Sequence, residues 1–151
     1  MNRMDVATFE QALKDAMRAK DDVRRRTLRM VLAAVKLVQV EKQAPVDEAG
    51  LLSILQKEIK LRREAIADAE KAHRPDLVDA SQAEIAVLES YLPRQLTQAE
   101  LTTLAQRVIA ETGATGPADM GKVMKAMVAE VHGRAPGDQV SQVVRQLLQK
   151  A

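Results

Sequence analysis

The sequence predicts an all-α protein composed of two small helical domains, and three observations indicate this fold class. Only two of the 151 residues are aromatic, so the core has to be built from aliphatic side chains, alanine and methionine. Such a core favours helix packing over a β-sandwich, which usually contains aromatic and β-branched residues. Apolar residues recur at the spacing of one helix face, and proline or capping residues separate these amphipathic segments.

Two helices are predicted at the start of the chain. The first covers residues 5–19, where apolar side chains lie on one face. Asp21 or Asp22 can cap a second helix that runs to about residue 43. Residues 28–40 are apolar nearly all round the helix axis, which indicates the central helix of a bundle.

The third helix is predicted to begin at a cap formed by Asp47. Glu58 and Arg62 stand four residues apart on it, a spacing typical of ion pairs on a solvated face. We expect this helix to end near residue 72 and a turn to follow, through about residue 79.

Two Ser/Thr-x-x-Glu patterns are interpreted as capping boxes, in which a hydroxyl and a carboxylate bind the free N–H groups at a helix start. Ser81 and Glu84 would open a fourth helix, which ends before Pro93 because the residue preceding proline avoids the α conformation. Thr97 and Glu100 would open the fifth helix.

The first domain is predicted to comprise residues 1–93 and the second, with three short helices, residues 94–151. Gly113 can end the fifth helix, Pro117 suits the first turn of the sixth, and Asp138 can cap the seventh. The sixth helix has a complete apolar stripe, formed by Met120, Val123, Met124, Met127, Val128 and Val131.

Composition excludes several classes of protein. The chain has no cysteine, so disulfides, thiolate metal sites and cysteine nucleophiles are excluded. The acidic start of the chain is unlike a signal or transit peptide, and no apolar run is long enough to span a bilayer. We therefore predict a cytoplasmic protein without membrane contact. A net charge of +2 is too small to indicate non-specific binding to duplex nucleic acid.

No catalytic or cofactor motif is recognisable in the sequence. The serines lie outside any G-x-S-x-G context, and P-loop and G-x-G-x-x-G patterns are absent. His73 falls in a predicted turn and His132 at a predicted helix end, without the spacing of metal ligands. We therefore predict no catalytic residue, no metal site and no cofactor.

Five strings, taken in their order and spacing, make the sequence similar to the GatB/YqeY family. They are LRMVLAAVK (28–36), QKEIKLRREAI (56–66), YLPRQL (91–96), DMGKVM (119–124) and GRAPG (133–137). The resemblance covers nearly the whole chain and implies a helical protein of two domains.

The resemblance also implies a function for the second domain. This domain resembles the tail of the B subunit of glutamine-dependent aminoacyl-tRNA amidotransferases, which approaches the outer corner of tRNA. A carbon–nitrogen ligase label would follow from this similarity, but the reactive centres lie outside the tail, so no catalytic residue is implied. The sequence departs from the family at Pro136, where an acidic residue is common, and at Lys125, where a small one is common.

Gly121 lies in the first turn of the sixth helix, where glycine costs about 1 kcal/mol relative to alanine. One explanation is that it lets a neighbouring helix pack closely; the other is that it lets a phosphate or ribose approach the helix N-terminus. Lys122 and Lys125 flank the apolar stripe, and Gly133 and Arg134 stand in the following loop. These five residues form the predicted RNA-binding site.

Arg24, Arg25 and Arg29 form a second basic patch that could bind RNA. The alternative is that these arginines form ion pairs with nearby acidic residues such as Asp21 and Asp22. Single-stranded RNA is commonly read by stacking on aromatic rings, which this chain nearly lacks. Folded RNA is therefore the expected ligand.

The leading hypothesis is a non-catalytic adaptor that binds tRNA and works beside an aminoacyl-tRNA-modifying enzyme. The alternative is a protein–protein interaction module without RNA contact that uses an exposed groove of methionine and valine between the domains. A third option is an amide-forming enzyme.

Overall fold

The structure, a computed structural model, describes residues 4–150, and this part of the chain is all-α, as predicted. It contains seven α-helices and one short 3-10 helix, and residues 4–150 include no β-strand. The helices form two compact units, Met1–Leu92 (unit 1) and Pro93–Ala151 (unit 2). Each unit has its own hydrophobic core.

Unit 1 is formed by four helices. Within it, α1 packs against α2, α3 packs against α4, and α2 also contacts both α3 and α4. The helices are α1 (Val6–Ala19), α2 (Asp22–Lys42), α3 (Glu48–Lys71) and α4 (Pro75–Glu89).

Aspartate side chains cap the first three helices of unit 1. Asp21 accepts a hydrogen bond of 3.0 Å from the backbone N–H of Arg24, and Asp47 accepts one of 2.8 Å from Gly50. Asp5 caps α1 in the same way. The predicted caps at Asp21 and Asp47 are therefore confirmed.

The core of unit 1 is aliphatic except for one aromatic pair. Phe9 is fully buried, and its ring centroid lies 5.0 Å from that of Tyr91. The buried aliphatic residues around this pair include Leu28, Val31, Val35, Leu51, Leu55, Ile59 and Leu88.

α2 is the central helix of unit 1, as predicted, because it contacts α1, α3 and α4, but one of its two apolar sides is open to solvent. Leu28 and Val31 on one side of the helix are fully buried in the core of unit 1. On the opposite side, Met30, Leu37 and Val40 are 52 %, 60 % and 68 % exposed. The neighbouring helices of unit 1 therefore cover only one of the two apolar faces of α2.

α4 begins at Pro75, earlier than predicted, because proline at the first helical position has a suitable φ and needs no N–H partner. Much of the predicted turn is therefore helical. Ser81 and Glu84 lie inside α4, so the capping box predicted there is wrong. The Glu84 carboxylate instead accepts hydrogen bonds from Arg26, at 2.8 Å, and Arg62, at 2.9 Å.

The Glu58–Arg62 pair, predicted for a solvated face, is buried, with each residue only 8 % exposed. Arg62 Nη1 donates to Glu58 Oε1 at 3.0 Å, and Arg62 Nε donates to Glu84 Oε2 at 2.9 Å. Buried charges are stable only when paired, and Arg62 lies between two carboxylates. Spacing along α3 alone could not show that α4 supplies the second carboxylate.

Unit 2 contains three helices in mutual contact, α5 (Gln98–Thr112), α6 (Met120–Val131) and α7 (Gly137–Lys150). The capping box of α5 is confirmed: Glu100 N donates to Thr97 Oγ1, and Thr97 N donates to Glu100 Oε1, each at 3.1 Å. Gly113 ends α5 in the left-handed conformation, with φ of 71°, as predicted. Pro117 opens a short 3-10 helix that leads into α6.

The core of unit 2 has no aromatic residue and matches the predicted stripes except at Val128, which was predicted on the apolar stripe of α6 but is 65 % exposed. Val123, Met127 and Val131 of α6 are buried, each with at most 4 % exposure. They pack with buried residues of α5 and α7, namely Leu101, Ala105, Val108, Val140, Val143, Val144 and Leu148. This packing directs the other side of α6 to solvent.

Candidate functional site

Part of the predicted RNA-binding site lies on the exposed side of α6. We call this surface the α6 outer face; it comprises Gly121, Lys122, Lys125, Val128 and Ala129, all exposed. These positions share one side of the helix because residues three and four apart are neighbours on its surface. The structure therefore brings Gly121 together with both predicted lysines.

Open space surrounds the α carbon of Gly121. A Cβ atom built there would meet no atom within 4 Å, apart from the helix's own nearby backbone. The explanation that Gly121 permits close packing of a neighbouring helix is therefore wrong. The glycine instead leaves backbone uncovered beside Lys122 and Lys125, which form no ion pair with any residue of the described chain.

Asp119 modifies the charge at the start of α6. Its carboxylate accepts a hydrogen bond of 2.9 Å from the backbone N–H of Thr115. This hydrogen bond and the positive charge of Lys122 lower the pKa of Asp119. Because the ionised Asp119 partly balances Lys122, the least compensated cation of the α6 outer face is Lys125.

Arg134 lies at the opposite end of α6 from Gly121. Its guanidinium donates to the carbonyl oxygens of Val131, at 3.1 Å, and Glu130, at 2.9 Å, in the last turn of the helix. A cation is favoured there by the helix dipole. Because α6 rises about 1.5 Å per residue, Lys122 and Val131 are about 14 Å apart along its axis. A single compact cluster of Lys122 and Arg134 is therefore not formed.

The loop that contains Arg134 is tied to the start of unit 2. Gln95 Nε2 donates to the carbonyl oxygen of Gly133 at 3.0 Å, and Leu96 N donates to that of Arg134 at 2.7 Å. These bonds bring the segments 91–96 and 133–137 into contact. This pairing could not be predicted from the sequence, since backbone contacts between distant loops leave no periodic pattern.

The second basic patch is largely ion-paired. Arg24 lies 3.7 Å from the Asp21 carboxylate and also donates to the Tyr91 hydroxyl at 3.2 Å. Arg25 pairs with Asp22 at 2.9 Å. Arg29 is exposed and has no ion-pair partner among residues 4–150. Ion pairing, the alternative to RNA binding at this patch, is therefore observed for two of the three arginines, Arg24 and Arg25.

An open groove in unit 2, with a volume of about 430 Å³, was not anticipated from the sequence. Arg107 lies at this groove and pairs with Glu111 at 3.0 Å and Glu130 at 3.2 Å. At the same groove, hydrogen bonds from Arg94 and from the Thr97 backbone lower the pKa of Glu100 to about 2. The lining residues are Leu96, Ala99, Glu100, Thr103, Leu104, Arg107 and Arg134.

The described part of the chain shows neither a metal-binding cluster nor a membrane-spanning helix. No group of three or more His, Cys, Asp or Glu residues between positions 4 and 150 is placed to hold a metal ion. A search of the same residues finds no helix with the length and apolar character needed to cross a membrane.

Comparison with known proteins places the chain in a family. The model of the family described as Yqey-like protein matches residues 6–148. The fungal relatives include proteins named "Altered inheritance of mitochondria protein 41, mitochondrial". The one from Lachancea thermotolerans is 31 % identical over 74 % of this chain and 62 % of its own length. The one from Kluyveromyces lactis is 39 % identical over 57 % and 47 %.

A third relative of the same name, from Pyrenophora tritici-repentis, is 30 % identical over 82 % of this chain and 68 % of its own length. The match to the first two relatives spans about half to two thirds of their length. The family match covers both units and agrees with the resemblance carried by the five strings. The chain belongs to the YqeY-like protein family.

Proposed function

We propose that this protein is a non-catalytic adaptor that binds folded RNA of the tRNA type through the α6 outer face. The observation that supports the proposal most directly is that Lys122 and Lys125 lie exposed beside open space at Gly121. The ammonium groups of Lys125 and of Lys122, which Asp119 balances only in part, can bind phosphates and release the counterions of the RNA. The resemblance of unit 2 to an amidotransferase tail gives tRNA as the specific ligand.

The side chains of the α6 outer face favour contact with the backbone of folded RNA over contact with unpaired bases. Val128 and Ala129 continue the surface beyond the lysines without an acidic side chain. Both aromatic residues of the chain belong to the core cluster of unit 1, so unit 2 has no aromatic ring on which a base could stack. Recognition is therefore proposed to depend on shape and phosphate contacts.

The proposal also includes a partner enzyme and a cellular compartment. We infer that an aminoacyl-tRNA-modifying enzyme is the partner, and that a carbon–nitrogen ligase label would describe that partner's reaction. The cytoplasmic location stays a prediction. The fungal relatives are named as mitochondrial, and tRNA is present in both compartments.

The proposal is tested by electrophoretic mobility shift with unmodified tRNA over a salt series. We expect binding at low salt that weakens steeply as salt rises. Replacing both lysines, Lys122→Ala/Lys125→Ala, should weaken binding and reduce the slope of log K against log salt by about 2. The matched control is Lys14→Ala/Lys57→Ala, which removes the same charge from exposed positions of unit 1.

Two outcomes contradict the proposal. One is that the unmodified protein binds no tRNA at low salt, which would favour the protein–protein interaction module. The other is that the two double variants lose affinity equally, because binding would then follow net charge rather than this surface.

Gly121→Ala separates the role of the glycine from that of the lysines. The added methyl group meets no atom within 4 Å, so the fold is retained and the helix gains roughly 0.5–1 kcal/mol of stability. If the RNA backbone lies against Gly121, this variant binds tRNA more weakly although it is more stable. Unchanged affinity would restrict the contact to the lysines.

A further inference from the structure

We propose that the outer face of α2 is a docking surface for an acidic amphipathic helix of a partner protein. This surface lies in unit 1 and rests on residues that the RNA-binding proposal does not use. We define it as Met30, Ala33, Leu37 and Val40, and we call it the α2 outer face.

The spacing of the α2 outer face matches a helical partner. Its four residues follow one another at intervals of three, four and three positions, the pattern of a coiled-coil seam. Together they extend about 15 Å along the helix. A second helix can bury this seam by knobs-into-holes packing, whereas the seam is too narrow for a sheet.

The α2 outer face is separate from the core of unit 1. Met30, Leu37 and Val40 are 52 %, 60 % and 68 % exposed, although Leu28 and Val31 on the other side of α2 are fully buried. Single exposed apolar residues are normal on protein surfaces, but a row of them along one helix marks an interaction site.

The charges beside the seam determine which partner fits. Arg29 and Lys36 flank it on one edge, both exposed and without an ion-pair partner among the described residues. Arg26, at the N-terminal end of the seam, is already paired with Glu84 at 2.8 Å and adds no unpaired charge. Glu41 is the acidic residue at the other edge. The basic flank is complementary to a helix with acidic residues beside its apolar seam.

A second copy of this chain would pair with the basic residues beside the seam less well than an acidic helix would. In an antiparallel pair the basic edges would face each other, with Arg29 and Lys36 opposite the same residues of the copy. In a parallel pair Lys36 could meet Glu41 of the copy, but Arg29 would lie opposite Ala34 and keep no partner. An acidic helix pairs with both cations.

The test uses two synthetic helical peptides of about three heptads, each with leucine at the seam positions. One has glutamate at the flanking positions and the other has lysine. Fluorescence anisotropy with the full chain should show binding of the acidic peptide and little binding of the basic one. Leu37→Glu should weaken binding of the acidic peptide by about tenfold or more, because it places a carboxylate in the centre of the seam.

The matched control is Leu77→Glu on α4, where the leucine is 46 % exposed and lies outside the seam. Far-UV circular dichroism verifies that both variants stay folded. Arg29→Glu/Lys36→Glu should reverse the preference in favour of the basic peptide. The proposal is overturned if the two peptides bind equally, or if Leu77→Glu weakens binding as much as Leu37→Glu.

Two further outcomes would assign the α2 outer face to another occupant and also overturn the proposal. Sedimentation analysis could reveal a dimer that Leu37→Glu dissociates, which would identify a second copy of the chain. Alternatively, Arg29→Glu/Lys36→Glu could abolish tRNA binding without changing the peptide preference, which would assign these cations to RNA.

Discussion

Two segments of the chain carry the same Ser/Thr-x-x-Glu pattern and use it differently. In unit 2, Thr97 and Glu100 exchange hydrogen bonds with each other's backbone and start α5. In unit 1, Ser81 lies inside α4 and Glu84 binds Arg26 and Arg62 on neighbouring helices. The pattern at Thr97 acts within one turn, whereas the carboxylate at Glu84 joins three helices.

The difference arises from what precedes each pattern. Pro75 starts α4 well before Ser81, so the N–H groups near Ser81 already have partners in the helix. Thr97 instead follows an irregular segment, and the first N–H groups of α5 need a cap. A Ser/Thr-x-x-Glu pattern therefore forms a capping box only where its serine or threonine stands at the start of the helix.

The largest effect is expected from breaking the unit 1 network at Arg62. Arg62→Ala leaves the buried Glu58 carboxylate without its partner, so we expect a loss of about 3–5 kcal/mol of unfolding free energy. The loss is measured by urea unfolding followed through Tyr91 fluorescence, because the sole tyrosine reports on unit 1.

The adjacent Arg63 provides the matched control for Arg62. It is exposed and lies 3.6 Å from Glu89, and surface pairs of this kind contribute about 0–1 kcal/mol. Arg63→Ala should therefore leave the Tyr91 transition nearly unchanged. Equal midpoints for the two variants would show that burial of Arg62 does not determine the stability of unit 1.

A smaller effect is expected at the cap of α5. Thr97→Ala removes the hydroxyl that accepts from Glu100 N, which should cost about 1 kcal/mol. Ser81→Ala is the matched control and should change stability by less than about 0.5 kcal/mol, since alanine is favoured inside a helix. Far-UV circular dichroism, which reports the helices of both units, gives the free energies of unfolding of the unmodified protein and the two variants. If Thr97→Ala and Ser81→Ala lost equal free energies of unfolding, the assignment of a capping box to Thr97 and not to Ser81 would be contradicted.

The smallest effect is the pH dependence of the Glu100 carboxylate, whose exposure to solvent screens its pairing with Arg94. Hydrogen bonds from Arg94 and from the Thr97 backbone lower the pKa of Glu100 from 4.5 to about 2. Because the pKa is lower in the folded protein, the contribution is present above pH 4.5 and is lost as pH falls toward 2.

Thermal unfolding of the unmodified protein and Glu100→Gln, compared between pH 7 and pH 2, checks this dependence. The difference between the two proteins should shrink in the window from pH 4.5 to pH 2. Arg94→Ala is expected to raise the lower limit of that window and so to narrow it, because it removes the first cause of the lowered pKa of Glu100. A difference that stays constant down to pH 2 would refute the pairing.

The candidate site was predictable only in part. Exposure of Lys122 and Lys125 follows from the apolar stripe of α6, which fixes the side that packs in the core. The position of Arg134 could not be predicted in this way. Its guanidinium donates to the carbonyl oxygen of Val131, and residue spacing does not reveal such a hydrogen bond. The open space at Gly121 likewise depends on which neighbours α6 has.

Local sequence patterns were sufficient to predict the all-α class, the caps at Asp21, Asp47 and Thr97, and the end of α5 at Gly113. These features depend on interactions within about one helical turn, which are visible as local patterns. The burial of Arg62 and the exposure of Leu37, by contrast, depend on how the helices pack against one another. A helix pattern specifies which side chains share a face, but the packing of other helices decides whether that face is covered.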